Sequence, residues 1–261
     1  MLKVLCIKLT SYIHYNLLAF NVKCFLPIKT CDNIDVGKLK KDGYMKIEFE
    51  DFEIDCFVEY GKRKRLSITI DTSGFVTIKA PNNTSEDAII NSVKPLGKKI
   101  KAKIEEIQSI KSKFGEKTYD DEGRFFYLGK ELPLDELIET EGLTEDELRE
   151  RLKKFYIQNL KKIVAERIKI YEKQLNLKPK EIVVDESKSK WGSCTSDKKV
   201  AFNYRLAMAP MEAIDYVVVH ELCHLQHMNH DRSFWRLVGS ILPDYKERQE
   251  YLKRYGQFLT L

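Results

Sequence analysis

The chain has 261 residues, 43% hydrophobic and 33% charged, which is long enough for one large domain or two small ones that each bury a core. It contains no run of about 20 apolar residues, so we expect no membrane span and no membrane partner. Its six cysteines form no C-x-x-C pair and no export signal is evident, which argues against a disulfide framework and predicts a cytoplasmic location.

The first segment, residues 1–44, differs from the rest of the chain. Its seven Lys and three Asp account for +4 of the net charge of +5, leaving 38 basic and 37 acidic side chains in the remainder. The remainder is therefore not a uniformly basic nucleic-acid surface. One hypothesis is that translation starts at Met45 and that residues 1–44 are an upstream mis-start. The alternative is a genuine extension, and the intact mass of the natively expressed protein separates the two.

Residues 45–134 form the first predicted domain, a β-rich portion with a long helix and a hairpin. The segments "EIDCFVEY", "RLSITID" and "FVTIKAP" alternate as strands do. One helix is predicted over residues 85–114, with Thr84 and Asp87 as a start resembling a capping box. The segment 125–134 is typical of a hairpin that turns at Gly129–Lys130.

Residues 135–261 form the second predicted domain. A helix begins at the capping box Thr144-x-x-Glu147 and runs to about Leu175, with apolar residues spaced three and four apart. Strands then precede a helix that Pro210 opens. Asp231 caps a short helix after it, and another helix ends the chain. The predicted fold class is therefore α+β.

The segment "VVVHELCHLQHMNHDRSFW" holds four of the five histidines and the pattern H-E-x-x-H. Four residues are about 400° of helix, so His220 and His224 project from one face and can share one Zn²⁺. Glu221 lies about 100° around the helix, where it can take a proton from a metal-bound water. Zinc is the predicted cofactor and Glu221 the predicted catalytic residue.

A catalytic zinc site uses three protein ligands, and two residues compete to be the third. His227 shares the face of His224 but lies about 10 Å along a straight helix from His220. His230 reaches the ion only if the helix ends and the chain turns back, for which Asn229 can adopt a left-handed conformation. We favour His230 and keep His227 as the alternative.

The ordered segments "KSKWGSC", "FNYRLAMAP", "IDYVVVHELCHL", "MNHDRSFW" and "LPDY" resemble the YgjP-like family of zinc metallopeptidases, over residues 46–255. The resemblance implies a small β-rich portion followed by a zincin-like metallopeptidase domain with an active-site helix. It also implies His220, His224 and His230 as ligands and Glu221 as general base. Residues 1–44 have no counterpart in the family, and the segment between Leu134 and Thr144 is short for it.

Residues upstream of the helix are candidates for substrate binding. Trp191 and Gly192 lie where an edge strand could hold an extended peptide, although packing in the core is the favoured interpretation of Trp191 and of Trp235. Tyr204 and Arg205 are further candidates for contacting substrate. Cys194 could reach the metal, but a packed thiol near the site is the favoured interpretation.

Three functions are compatible with these residues. The favoured one is a zinc-dependent peptidase acting on a peptide or protein. A nucleotide pyrophosphatase at the same site is possible in chemical terms, with Lys188, Lys190 and Arg205 as cations, but no Gly-rich phosphate loop supports it. A nucleic-acid-associated binding module ranks third, because the main body carries too little net positive charge. No feature of the sequence indicates an oligomeric state.

Overall fold

The computed structural model of the chain describes residues 11–12, 20–26, 43–115, 117–120, 123–187 and 189–261, with side chains from residue 43 onward. Most of residues 1–44 thus lies outside the described residues, and a start at Met45 stays a prediction. Two compact units are present: residues 18–115, here the N-terminal unit, and residues 116–261 with residues 1–17, here the C-terminal unit.

The helices and strands confirm the α+β class, with a small sheet before a mainly helical domain. In chain order they are β1 (Ser11–Tyr12), β2 (Phe20–Leu26), β3 (Gly43–Glu48), β4 (Glu53–Gly61), β5 (Leu66–Ile70), β6 (Val76–Pro81), α1 (Glu86–Val93), α2 (Gly97–Phe114), β7 (Arg124–Tyr127), β8 (Lys130–Pro133), α3 (Leu134–Leu137), α4 (Glu145–Leu175), β9 (Glu181–Asp185), β10 (Gly192–Cys194), β11 (Lys199–Asn203), α5 (Met211–Cys223), α6 (Arg232–Ile241) and α7 (Tyr245–Tyr255). Short 3₁₀ turns lie at Lys94–Leu96, Tyr204–Met208 and Gly256–Phe258. No helix among the described residues has both the length and the apolar character needed to cross a membrane.

The N-terminal unit is built on a five-stranded sheet in the order β2-β5-β6-β4-β3. Neighbouring strands run antiparallel except for the parallel pair β4 and β6. Alternate residues of β5 are buried, and Ile68 and Ile70 pair across the sheet with Ile78 and Val76 of β6. One face of the sheet therefore carries the apolar core of this unit, as the period-two pattern predicts.

The single helix predicted over residues 85–114 is two helices in the structure. Pro95 has no N–H to donate, and it lies in the 3₁₀ turn that separates α1 from α2. The first helix is capped by Ser85, whose hydroxyl accepts a hydrogen bond from the N–H of Ala88. The predicted start at Thr84 and Asp87 was therefore one residue early.

The C-terminal unit contains the hairpin β7–β8, which the sequence had grouped with the first domain. Leu128 and Gly129 form its turn, both with positive φ, one residue before the predicted turn at Gly129–Lys130. The N–H groups of this turn donate to the carbonyls of Ala207 and Met208 at 2.9 and 3.1 Å. These bonds join the hairpin to the chain just before α5, so it belongs with the second half of the molecule.

The C-terminal unit also contains a four-stranded sheet in the order β1-β10-β11-β9 and the long helix α4. The predicted capping box is present, with the carboxylate of Glu147 accepting from the N–H and the hydroxyl of Thr144. Asn176 ends α4 in the left-handed conformation. The central helix α5 packs against α4, and every residue from Ala213 to Cys223 is buried.

An ion pair fixes α5 against α4. Arg167 of α4 donates two hydrogen bonds to the carboxylate of Asp215 at 2.5 and 2.7 Å, and also bonds the hydroxyl of Tyr171. Asp215 is almost fully buried, and Arg248 of α7 approaches it to 4.0 Å. A buried carboxylate held in this way sets the position of the helix that carries the histidines.

We expect Asp215→Asn to lower the free energy of unfolding by about 2–3 kcal/mol, below the full cost of breaking a buried pair because Arg167 is partly exposed. Denaturant unfolding followed by circular dichroism measures it. The matched control is Glu181→Gln, which breaks the exposed pair with Lys199 and should cost less than about 1 kcal/mol. Equal decreases in the free energy of unfolding of the two variants would contradict a stabilising role for the buried ion pair of Asp215.

Candidate metal centre

The first two histidines are held by the buried helix α5. His220 lies in its last turn and His224 at its C-cap, still with helical dihedral angles. Their rings therefore leave the same face one turn apart, with the two Nε2 atoms 3.1 Å apart. Both residues are almost completely buried, so the pair faces the interior of the C-terminal unit.

His230 joins this pair because the chain turns back after α5. Its Nε2 lies 2.9 Å from that of His220 and 3.0 Å from that of His224. The turn differs from the expected one: α5 already ends at Cys223, and Asn229 is not among the described non-glycine residues with positive φ. The chain turns back earlier, at Leu225 and Gln226, whose N–H groups donate hydrogen bonds to the carbonyls of Leu222 and Cys223.

His227 contributes its main chain rather than its ring. Its carbonyl lies 2.8 Å from Nδ1 of His224. A carbonyl can only accept, so Nδ1 carries the proton and Nε2 keeps a lone pair directed at the other two rings. Among the described residues, His220, His224 and His230 have ligand atoms that all lie within 4.8 Å of one another, and His227 is not part of this group.

The three imidazoles fit a bound metal ion. Nitrogens 2.9–3.1 Å apart are close enough for all three to bind one ion at the distance of about 2.0–2.1 Å that is usual for zinc. Burial lowers the pKa of His224 to about 4 and that of His220 well below its usual value, so both rings are neutral at neutral pH. Neutral rings with converging lone pairs are the form in which histidine binds zinc. Metal binding by these residues stays a prediction.

Glu221 directly follows His220 in α5 and has an unusual environment for a carboxylate. It is fully buried, and neither oxygen has a hydrogen-bond partner among the described residues. Burial raises its pKa well above the usual value, and the charge of Lys190 acts in the opposite direction. A buried, unpaired carboxylate is costly, which is typical of a group retained for chemistry.

Two aromatic rings of α6 pack against the histidines, and a ring of α7 packs on one of them. The buried ring of Phe234 has its centroid 4.5–4.8 Å from those of all three imidazoles. Trp235 stacks on His230, and Tyr245 stacks on Trp235 in turn. The sequence had not indicated Phe234 as part of the site. The available signal was its fixed position four residues after His230, where the helix capped by Asp231 must place it next to the histidines.

The residues predicted to bind substrate have less exposed positions than expected. Trp191 is 1% exposed and Tyr204 4%, so neither presents its side chain to solvent, and burial favours the packing interpretation of Trp191. Arg205 is half-buried, with its guanidinium 5.6 Å from the Trp191 ring, and burial lowers its pKa. Lys188 lies outside the described residues.

The strand β10 in this upstream segment approaches Glu221 at Gly192. Its outer edge, where an extended peptide was expected, pairs with Ser11 and Tyr12 of β1 in antiparallel register. Cys194 at its end is buried, its pKa is raised to about 12 mainly by burial, and it is not grouped with the histidines. The structure therefore favours the interpretation of Cys194 as a packed thiol.

The comparison with protein families agrees with this geometry. The model of the YgjP-like family, described as a metallopeptidase domain, matches residues 64–255. The chain belongs to the YgjP-like family. Comparisons with curated proteins and with solved structures gave no significant match.

Membership in the YgjP-like family confirms the resemblance drawn from the W-G-S-C and N-H-x-x-x-F-W segments. The match includes Glu221, the three clustered histidines and His227, and it begins within the N-terminal unit, at residue 64. It supports a hydrolase of the metallopeptidase type and implies a metal cofactor, for which the histidine cluster supplies a ligand set.

Proposed function

We propose that this YgjP-like protein is a zinc-dependent peptidase, with His220, His224 and His230 as zinc ligands and Glu221 as general base. The observation that carries the proposal is the convergence of three Nε2 atoms to within 3.1 Å of one another, with two of the histidines on the buried helix that also carries Glu221. Three imidazoles leave one coordination position for water or substrate, as in zinc hydrolases.

In the proposed reaction, the bound ion would activate the water and the carbonyl, and Glu221 transfers the proton. Zinc held by these three histidines would lower the pKa of water towards about 7 and polarise a carbonyl oxygen. Glu221 accepts the proton of the attacking water on a carboxylate oxygen and passes it to the nitrogen of the leaving amine. No hydrogen bond to a described residue competes with the proton for these buried oxygens.

The surrounding residues keep the site in one arrangement. His227 holds the ring of His224 in its Nε2-acceptor tautomer, which is the role that outer hydrogen bonds have at metal sites. Phe234 packs against all three imidazoles and so restricts their ring orientations. The peptide substrate and the cytoplasmic location are proposals that rest on the family and on cysteine usage.

Peptide hydrolysis by the zinc-loaded protein tests the proposal. We expect cleavage of a mixed peptide library, detected by mass spectrometry, to stop when a chelator removes zinc and to return when zinc is added. The same samples are assayed for phosphate or pyrophosphate release from nucleoside triphosphates and for salt-dependent binding of nucleic acid. Nucleotide hydrolysis without peptide cleavage, lost in Glu221→Gln, would replace the peptidase with a phosphohydrolase at the same site.

A further inference from the structure

The strand β10 passes beside Glu221 at Gly192. A Cβ atom placed on Gly192 would lie 2.7 Å from Oε1 of Glu221, 2.8 Å from its Cγ and 3.0 Å from its Cδ. Carbon atoms in good contact are about 3.5–4.0 Å apart, so a side chain at residue 192 and the present position of the carboxylate exclude each other. We propose that Gly192 is a positioning residue: its bare main chain forms the wall that sets where the Glu221 carboxylate lies.

Packing rather than hydrogen bonding holds this carboxylate. Both oxygens of Glu221 are buried, and neither has a hydrogen-bond partner among the described residues. A carboxylate normally owes its orientation to donors, and here the close approach of Gly192 takes that place. A glycine is therefore required at this position of W-G-S-C because a side chain would collide with Glu221, and not because of the turn.

The main chain at Gly192 is fixed from several sides. Gly192 pairs with Phe202 of β11, and the N–H of Asn203 donates to the carbonyl of Trp191 at 2.9 Å. The side-chain amide of Asn203 donates to the carbonyl of Lys190 at 3.0 Å. With the strand held by these bonds, the group that yields to an added methyl is the end of the Glu221 side chain.

The buried ring of Trp191 anchors the same strand on its other side. A Cβ on Gly256 would lie 2.6 Å from Cζ2 of Trp191, so that ring also rests directly on main chain. Trp191 and Gly192 thus act together, the tryptophan by packing and the glycine by leaving room for the carboxylate. This assigns the upstream motif a part in positioning the base rather than in binding metal or substrate.

Thermal unfolding of the zinc-free protein tests the contact between residue 192 and Glu221, and the measurement does not depend on enzymatic activity. Glu221→Ala removes all three atoms that an added Cβ would meet. We expect Gly192→Ala to lower Tm by roughly 2–10 °C when Glu221 is present and to leave Tm unchanged in the Glu221→Ala background. An equal effect in both backgrounds, including none, would overturn the proposal. If Gly192→Ala does not fold, folding restored by Glu221→Ala supports it, and failure in both overturns it.

Kinetics of the zinc-loaded protein test whether the position of Glu221 set by Gly192 matters for catalysis. This test rests on the proposed function. We expect Gly192→Ala to lower kcat about 100-fold with KM and zinc content little changed, because the base is misplaced while the metal ligands are not. The control is Gly239→Ala, whose Cβ would make an ordinary 3.5 Å contact with Tyr245 and should leave kcat unchanged. A retained kcat in Gly192→Ala overturns the positioning role. A wild-type protein that cleaves no peptide refutes the peptidase, and the Tm comparison still decides the contact.

Discussion

Glu221→Gln is expected to lower kcat for peptide hydrolysis by about 10³-fold, within the 10²–10⁴-fold range of general base catalysis. Glutamine has nearly the same shape, so it fills the same buried space beside Gly192, but its amide cannot accept the proton of the attacking water. The zinc content should stay at one ion per chain, because the three imidazoles are unchanged. Steady-state kinetics with a cleaved library peptide, together with elemental analysis, measure both quantities.

Glu212→Gln is the matched control for this prediction. Glu212 lies in the first turn of the same helix α5, and it is exposed. The identical substitution there should leave kcat within a factor of about two, as expected of a surface change away from the site. If Glu221→Gln retains most of the activity while binding zinc, the general base is another group and the proposed mechanism fails.

Local signals in the sequence were sufficient for much of the fold. The capping box at Thr144 and Glu147 and the left-handed stop at Asn176 are determined by side chains a few residues apart, so their pattern predicts α4 directly. The break at Pro95 was also a local signal, which the amphipathic pattern on either side of it obscured. The hairpin β7–β8 was assigned to the other half of the chain because its hydrogen bonds to Ala207 and Met208 join residues about 80 positions apart.

The spacing of the histidines indicates which of them can come together, but the path of the chain that brings them together is not evident from the sequence. The i,i+4 spacing places His220 and His224 on one face of any helix. The end of α5 at Cys223 carries no glycine, asparagine or proline to mark it, so the expected turn was placed at Asn229. The burial of Trp191 and the approach of Gly192 to Glu221 depend on the pairing of β10 with β11, which no local pattern shows.

Removal of the ring of His230 is expected to cost the protein its zinc, whereas removal of the ring of His227 is not. In His230→Ala two imidazoles remain, and zinc affinity should fall by more than the roughly 10–100-fold that loss of an outer hydrogen bond costs at a metal site. In His227→Ala the carbonyl that accepts from Nδ1 of His224 is still present, because it belongs to the main chain. Competition with a chromophoric chelator gives both affinities.

The two variants form a matched pair, since each replaces a histidine by alanine in the same connection between α5 and α6. Differences in their zinc affinity therefore report the positions of the two rings and not a general effect of the substitution. Zinc retained in His230→Ala and lost in His227→Ala would mean that the chain returns by a different turn after Cys223. Zinc absent from the wild-type protein, even after reloading, would remove the basis for hydrolysis and leave a binding role as the function to pursue.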